Sequence, residues 1–177
     1  MTIPQITIVK KDPDHLHLDG INNVTAYTLE LDIPTPYTSS GIDPGTVHIG
    51  MAFINKYSQA YVYEIHIKRP DTTRLRIKYM WSLLDCIFPK SKIITIEGAS
   101  YADRYRQIEL QDMRCSATAW GMNDWERTEI QTVPPLTIRK TVFGSAKIKN
   151  PWEDIPDNAA AALACALYPI MKERNEK

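Results

Sequence analysis

Two acidic side chains in this 177-residue chain each stand where a short apolar run ends. Asp43 ends the first run of GIDPGTVHIG at residues 41–50, and Glu97 follows KIITI at residues 92–96. The Pro-Gly pair after Asp43 is typical of a tight turn, because proline presets φ at a corner and glycine accepts a positive φ. Strand-end carboxylates of this kind are candidates for binding a divalent cation.

A second acidic pair precedes an alanine-rich run near the end of the chain. Asp154 and Asp157 lie three residues apart in EDIPDNAAAALACAL, at residues 153–167. Acids at a helix start are often explained by capping and by the helix dipole. Together with the two strand-end acids, however, they form a concentration of negative charge that is tolerated chiefly when divalent cations neutralise it.

Between these acidic groups lies a basic segment, PPLTIRKTVFGSAKIKNPW, at residues 134–152. It contains four cations and no acid, in a chain whose formal net charge is zero: Arg139, Lys140, Lys147 and Lys149. A basic run of this length is usually a solvated face, and contact with nucleic acid is the alternative.

The elements that position these residues follow from the hydrophobic period. We predict, in chain order, strands at 40–43, 48–54 and 60–67, a helix over 74–88, a strand at 92–96, a helix over 100–122, a strand at 129–133 and a last helix starting near Pro156. The first helix should bury Leu75, Tyr79, Leu83 and either Cys86 or Ile87. Right-handed crossovers favour parallel pairing of strands 40–43 and 92–96, which would place Asp43 beside Glu97.

Residues 1–37 predict a β-rich extension before a main domain at residues 38–177. Alternation around Leu16 and Leu18, and again over residues 27–33, flanks a DGINN turn at residues 19–23 and indicates a hairpin. The His15-x-His17 pair is better explained by the wet face of a strand than by metal binding.

Composition indicates a globular protein, with 44% hydrophobic and 24% charged residues. Zero net charge argues against a tail-driven nucleic-acid binder. The three cysteines are widely spaced without a Cys-x-x-Cys pair, so neither a disulfide framework nor a zinc site is indicated. The first residues lack the apolar core of a signal peptide, and no run approaches the roughly 20 apolar residues of a membrane span. We therefore expect an intracellular, soluble protein.

Four segments, in this order, resemble the motif set of RuvC-type Holliday-junction resolvases of the RNase H-like superfamily: GIDPGTVHIG, IITIEGASY, VPPLTIRKTVFGSAKIK and DIPDNAAAALACAL. The resemblance covers residues 39–168. It implies an α/β fold with a mixed five-stranded sheet flanked by helices, to which the N-terminal extension is added. It also implies a homodimeric endodeoxyribonuclease that uses Mg²⁺ or Mn²⁺ to nick two opposed strands of a four-way DNA junction, leaving 5′-phosphate and 3′-hydroxyl ends.

The resemblance also assigns roles to individual residues. The catalytic carboxylates, which would hold two metal ions, are Asp43, Glu97, Asp154 and Asp157. The DNA-contacting residues are Tyr101, Arg104, Arg114, Arg139, Lys140, Lys147 and Lys149. The stretch before the last aspartates is shorter than in the bacterial family, so Glu153 is an alternative to Asp154, and Tyr105 is an alternative to Tyr101.

Three other functions remain open at this stage. Gly-x-Asp-x-Gly-Thr also resembles the first phosphate loop of actin-like ATPases, although the chain has little room for their second lobe. An RNase H-like nuclease acting on RNA or on flap or branched DNA is the second alternative. A junction-binding module that does not cut is the third. The extension and the shortened stretch point to a divergent viral, phage or organellar type, acting in the cytoplasm or nucleoid, a DNA-containing organelle or a viral replication site.

Overall fold

Seven strands and four helices make up the part of the chain described by the computed structural model. It describes residues 3–14, 21–68, 72–87, 91–98, 107–122 and 128–177. The elements in chain order are β1 (Ile6–Asp14), β2 (Ile21–Leu31), β3 (Ser39–Asp43), β4 (His48–Ile54), β5 (Gln59–Ile67), α1 (Thr73–Ile87), β6 (Ile93–Glu97), α2 (Gln107–Met122), β7 (Glu129–Val133), α3 (Pro135–Phe143) and α4 (Asp157–Asn175).

The strands form one mixed sheet in the order β1-β2-β5-β4-β3-β6-β7. Strands β3, β4 and β5 pair antiparallel as a meander, whereas β6 and β7 run parallel to β3. These five strands confirm the predicted RNase H-like core, with bounds within about one residue of those expected from alternation. The β3–β6 register aligns Ile42 with Ile96, so Asp43 and Glu97 follow side by side, as the crossover rule predicted.

The N-terminal hairpin adds two strands to this core. Strand β2 pairs antiparallel with β5 from Ile21, opposite Ile67, to Glu30, opposite Gln59, and β1 pairs with β2. The extension does contain an antiparallel hairpin of β1 and β2, but its first strand, Ile6–Asp14, is not the one predicted around Leu16 and Leu18. Residues 21–23 of the predicted turn belong to β2. The predicted strand at Leu16 and the two histidines lie outside the described residues. The division into two domains at residue 37 stays a prediction.

Helices cover both faces of the sheet, and each face has its own apolar core. Helices α1 and α2 pack on one face with Ile42, Ile49 and Met51, and α3 and α4 pack on the other. The buried face of α1 is rotated about the helix axis relative to the predicted one, since Cys86 is exposed whereas Arg76 is buried. The Arg76 guanidinium pairs with the Asp112 carboxylate of α2, and Nη2 lies 2.6 Å from Oδ2.

Helix α4 approaches β3 and β4 so closely that two glycines are required beneath it. A Cβ added at Gly41 would lie 2.0 Å from the carbonyl oxygen of Ala162, and one at Gly50 would lie 1.9 Å from that of Asn158. Ser39 adds a buried hydrogen bond, donating from Oγ to the Ala166 carbonyl at 2.8 Å. The alanine run therefore lets α4 lie directly on the central strands.

Helix α3 was not predicted, because its residues were assigned only to the basic segment. Proline at its first position and Gly144 at its end are ordinary helix boundaries, and Gly144 takes the left-handed φ of 74° that such an end favours. Ile138, Val142 and Phe143 are buried on this helix. The cations of the segment are thus carried partly by an amphipathic helix.

Two expectations from composition are also addressed by the structure. The cysteines are free, and Cys165 alone among them is buried. Within the described ranges, no helix has both the length and the apolar character needed to cross a membrane.

We expect Gly50→Ala to displace the start of α4, because the new methyl group would collide with the Asn158 backbone rather than with a flexible side chain. Overpacking of this kind costs about 1–3 kcal/mol, measurable as a lower midpoint of urea unfolding. Gly121→Ala is the matched control, since its Cβ would meet side-chain carbons of Ile130 and Ile94 rather than backbone. Equal stability of Gly50→Ala and wild type would contradict this account.

Candidate active site

The centre of the candidate site is the pair of carboxylates at the ends of β3 and β6. Asp43 and Glu97 are the last residues of these adjacent parallel strands, and both are half-buried. Side chains alternate along a strand, so Asp43 points to the same face as Gly41, which lies against α4. The two acids are therefore brought together beneath the first turns of α4.

The pair is electrostatically strained. Burial raises the pKa of Asp43 well above its ordinary value, and the charge of Glu97 raises it further. Burial likewise raises the pKa of Glu97. Because desolvation and like charge both oppose ionisation, the two acids do not readily hold two negative charges without a compensating cation.

Two arginines supply part of that compensation. Arg139 and Arg114 each lower the pKa values of both carboxyl groups. Arg114 is the better defined, since its Nε donates a hydrogen bond to the Glu97 carbonyl oxygen at 3.1 Å. Burial lowers the pKa of Arg114, whereas Glu97 and Asp43 raise it. Both arginines were predicted to contact DNA; in the structure Arg114 contacts the Glu97 backbone, and both arginines act on the two acids through their charge.

Of the second acidic pair, Asp157 is the residue whose position relative to this centre follows from backbone contacts. Asp157 is the first residue of α4, and the next residue, Asn158, packs over Gly50, which is paired with Asp43. Asp154 and Asp157 are both exposed. No group of three or more histidine, cysteine or acidic side chains with metal-binding geometry occurs in the described part of the chain. The structure therefore joins two of the four predicted ligands and places Asp157 nearby at a helix start.

Asp43 and Glu97 nevertheless fit a hard divalent cation by their chemistry. Mg²⁺ prefers oxygen ligands and is commonly held by only one or two carboxylates, with water and substrate phosphate completing its coordination. Burial raises the pKa of both acids, and the charge of Glu97 raises that of Asp43 further, so a bound cation would favour their ionised forms. These are the properties expected of a cation site rather than of an internally neutralised ion pair.

The loop before α4 contains contacts that sequence analysis missed. The Asn150 side-chain amide donates to the Ile155 carbonyl at 2.8 Å and to Oδ1 of Asp157 at 3.2 Å. Its Oδ1 accepts from the Trp152 backbone at 2.9 Å. Asn-Pro pairs favour turns, so the pair at 150–151 is the sequence signal that could have predicted a turn held by Asn150.

The remaining cations of the basic segment face solvent. Lys140 lies on α3, and Lys147 and Lys149 follow it, all three exposed. They are therefore accessible to a ligand. Tyr101, its alternative Tyr105, and Arg104 lie outside the described residues.

The core strands lie in the order β5-β4-β3-β6-β7, with β3 to β5 antiparallel, β6 and β7 parallel to β3, and helices on both faces, which is the arrangement of an RNase H-like fold. Among solved structures, the chain is similar to Thermus thermophilus RuvC, with a TM-score of 0.57 and 14% identity over 78% of this chain and 96% of that one. It is also similar to T. thermophilus RuvC in complex with Holliday junction substrate, with a TM-score of 0.56 and 15% identity over 78% and 95% of the two chains. No family model matches the sequence, and neither does any curated protein. At this identity the likeness shows a RuvC-like fold.

The raised pKa of Asp43 predicts how stability depends on pH without divalent cations. Between the ordinary pKa of 3.8 and the raised pKa in the folded state, the folded protein binds more protons than the unfolded chain. The free energy of unfolding therefore falls as pH rises through that window. Asp43→Asn removes the charge, so we expect its Tm in chelator to exceed that of wild type by a few degrees at pH 8, with little gain near pH 4.

Differential scanning calorimetry at both pH values would measure this effect. Asp12→Asn is the control, because that carboxylate lies exposed on the edge strand β1. A gain of the same size at both pH values, or none at pH 8, would show that the Asp43 carboxylate is not destabilising.

Proposed function

We propose that this protein is a structure-selective endodeoxyribonuclease that resolves four-way DNA junctions by metal-dependent paired nicking. The observation that supports this most strongly is the Asp43–Glu97 pair, held at the ends of adjacent parallel strands in a RuvC-like fold. A similar structure with this fold is bound to Holliday junction substrate. A protein that only bound DNA would gain nothing from uncompensated acids near phosphates.

The proposed reaction is hydrolysis of a phosphodiester. The bond between phosphorus and the 3′ oxygen breaks, water supplies hydroxide to phosphorus and a proton to the leaving oxygen, and the ends are 5′-phosphate and 3′-hydroxyl. Mg²⁺ or Mn²⁺, when bound, would lower the pKa of water and stabilise charge on the phosphate. We assign Asp43 and Glu97 as its principal ligands, with Asp154 and Asp157 as further ligands of a site for two ions.

The protein's own cations have two roles in this proposal. Arg114 and Arg139 limit the repulsion between the acids, and we propose that Arg139 also binds a phosphate held at the site. The exposed cations of the basic segment bind phosphates farther along the strand. Tyr101 and Arg104 are proposed to contact the branch point. Cleavage of two opposed strands would require two such sites, so we propose a homodimer.

The decisive experiment compares labelled four-way, three-way, flap and linear duplex DNA, and an RNA–DNA hybrid, with Mg²⁺ or with chelator. Paired nicks near the branch point of the four-way junction, only with Mg²⁺, are expected. Preferential cutting of flaps or RNA would indicate a different RNase H-like nuclease. Tight junction binding without cleavage under any metal would indicate a binding module.

We expect Asp43→Asn and Glu97→Gln each to reduce cleavage by at least about 10²-fold, because each removes a charged ligand of the cation that drives the chemistry. Junction affinity, measured by electrophoretic mobility shift in Ca²⁺, should be retained or improved, since phosphate contacts are untouched. Asp12→Asn should behave as wild type in both assays. Wild-type cleavage rates in either site variant would remove the basis of the assignment.

Neutralising Lys147 and Lys149 together tests the proposed DNA contacts. If both meet phosphates, the double Lys→Gln variant should lower the slope of log affinity against log salt by roughly 0.9 for each phosphate that is no longer bound. Its Tm should hardly change, since exposed lysines contribute little to stability. The matched control neutralises Lys10 and Lys11 on the edge strand β1. An unchanged slope, or the same reduction in the control, would show that this segment is a solvated face.

A further inference from the structure

The N-terminal segment makes a specific buried contact with the loop that precedes α4. The indole Nε1 of Trp152 donates a hydrogen bond to the carbonyl oxygen of Pro4 at 2.9 Å, joining residues 148 positions apart. Trp152 is 6% exposed and packs edge-on against Phe143, with ring centroids 5.2 Å apart. An indole N–H buried this deeply needs a partner, and the N-terminal segment provides it.

Further hydrogen bonds connect Trp152 to the acidic end of α4. Its backbone N–H is bound by Asn150, whose side-chain amide reaches Oδ1 of Asp157. The Trp152 carbonyl accepts from the backbone N–H of Ile155 at 3.2 Å. A continuous set of contacts therefore runs from Pro4 through Trp152 and Asn150 to the carboxylate of Asp157.

The other end of this set is fixed to the sheet. The backbone N–H of Gln5 donates to Oδ1 of Asp32 at 2.8 Å, and the Asp32 N–H donates to the Gln5 carbonyl at 3.3 Å. Strand β1 begins at the next residue and pairs with β2. Residues 3–5 thus link the edge of the sheet to the loop at 150–157.

We propose that residues 3–5 form a brace that positions Asp157, with Trp152 and Asn150 as positioning residues. The proposal rests on the function proposed above, in which Asp157 is a ligand of the divalent cation. Asp157 is exposed, so without support its carboxylate would have to be ordered when the cation binds. The brace orders it beforehand, in the way that hydrogen-bond partners of metal ligands generally do.

Two variants interrupt the brace at different points. Trp152→Phe keeps an aromatic ring against Phe143 but removes the N–H that binds Pro4. Deletion of residues 1–5 removes the acceptor and leaves the indole in place. Val9→Ala is the control, because Val9 lies in the same extension and is 57% exposed.

Hydrogen exchange over residues 150–158 in the metal-free protein and calorimetric titration with Mn²⁺ measure the effect. We expect both variants to accelerate exchange there and to weaken Mn²⁺ binding by about 10-fold, a usual reduction when such a partner is removed. Combining them should add little, since both break the same hydrogen bond. Asn150→Ala should also accelerate exchange and weaken Mn²⁺ binding. It replaces Trp152→Phe as the test variant if that protein does not fold.

Unchanged exchange over residues 150–158 would overturn the proposal. Faster exchange with unaltered Mn²⁺ affinity would overturn it as well, because the segment would then be structural only. Additive effects in the combined variant would contradict a single shared hydrogen bond and overturn the brace as described. If the wild type cuts no branched DNA, the proposed function fails, whereas exchange and Mn²⁺ binding still decide whether the brace exists.

Discussion

Placing two carboxylates beside each other in a partly dehydrated position costs free energy. The charged groups around Asp43 and Glu97 offset part of that cost. Desolvation and like charge raise the pKa values of the pair, and two arginines reduce the shift without cancelling it. Protons and metal cations therefore compete for the same carboxylate oxygens, so binding of a cation should release protons. A site built for stability alone would have paired each acid fully or replaced it with an apolar side chain.

The backbone geometry that enforces this pairing is set by the sheet and α4 together. The parallel β3–β6 register fixes which residues end side by side, and glycines at 41 and 50 allow α4 to lie on the strands. Because α4 starts at Asp157, the same close packing brings a third acid toward the pair. The position of that acid therefore depends on the backbone contact between Gly50 and the adjacent Asn158, which a single added methyl group would disturb.

The features predictable from sequence were those with local causes. Alternation of apolar and polar residues predicted the core strands, and the right-handed crossover rule predicted that β6 lies beside β3. Helix α3 was missed because its apolar residues are interleaved with the cations of the basic segment. The influence of Arg114 and Arg139 on the acids depends on how two helices are oriented, and the contact between Pro4 and Trp152 joins residues 148 positions apart. Neither arrangement leaves a periodic signal.

The N-terminal hairpin changes the sheet as well as the loop. Without it, β5 would be an edge strand with unpaired backbone groups along its length, an arrangement that invites pairing with other chains. With it, the edge is β1, which has a register irregularity between Ile8 and Lys10 and carries Lys10, Lys11 and Asp12. Bulges and charges are how natural sheets protect such edges. Since the segment that leads into this protected edge also binds Trp152, pairing of the hairpin with the sheet and ordering of the loop before α4 are physically coupled.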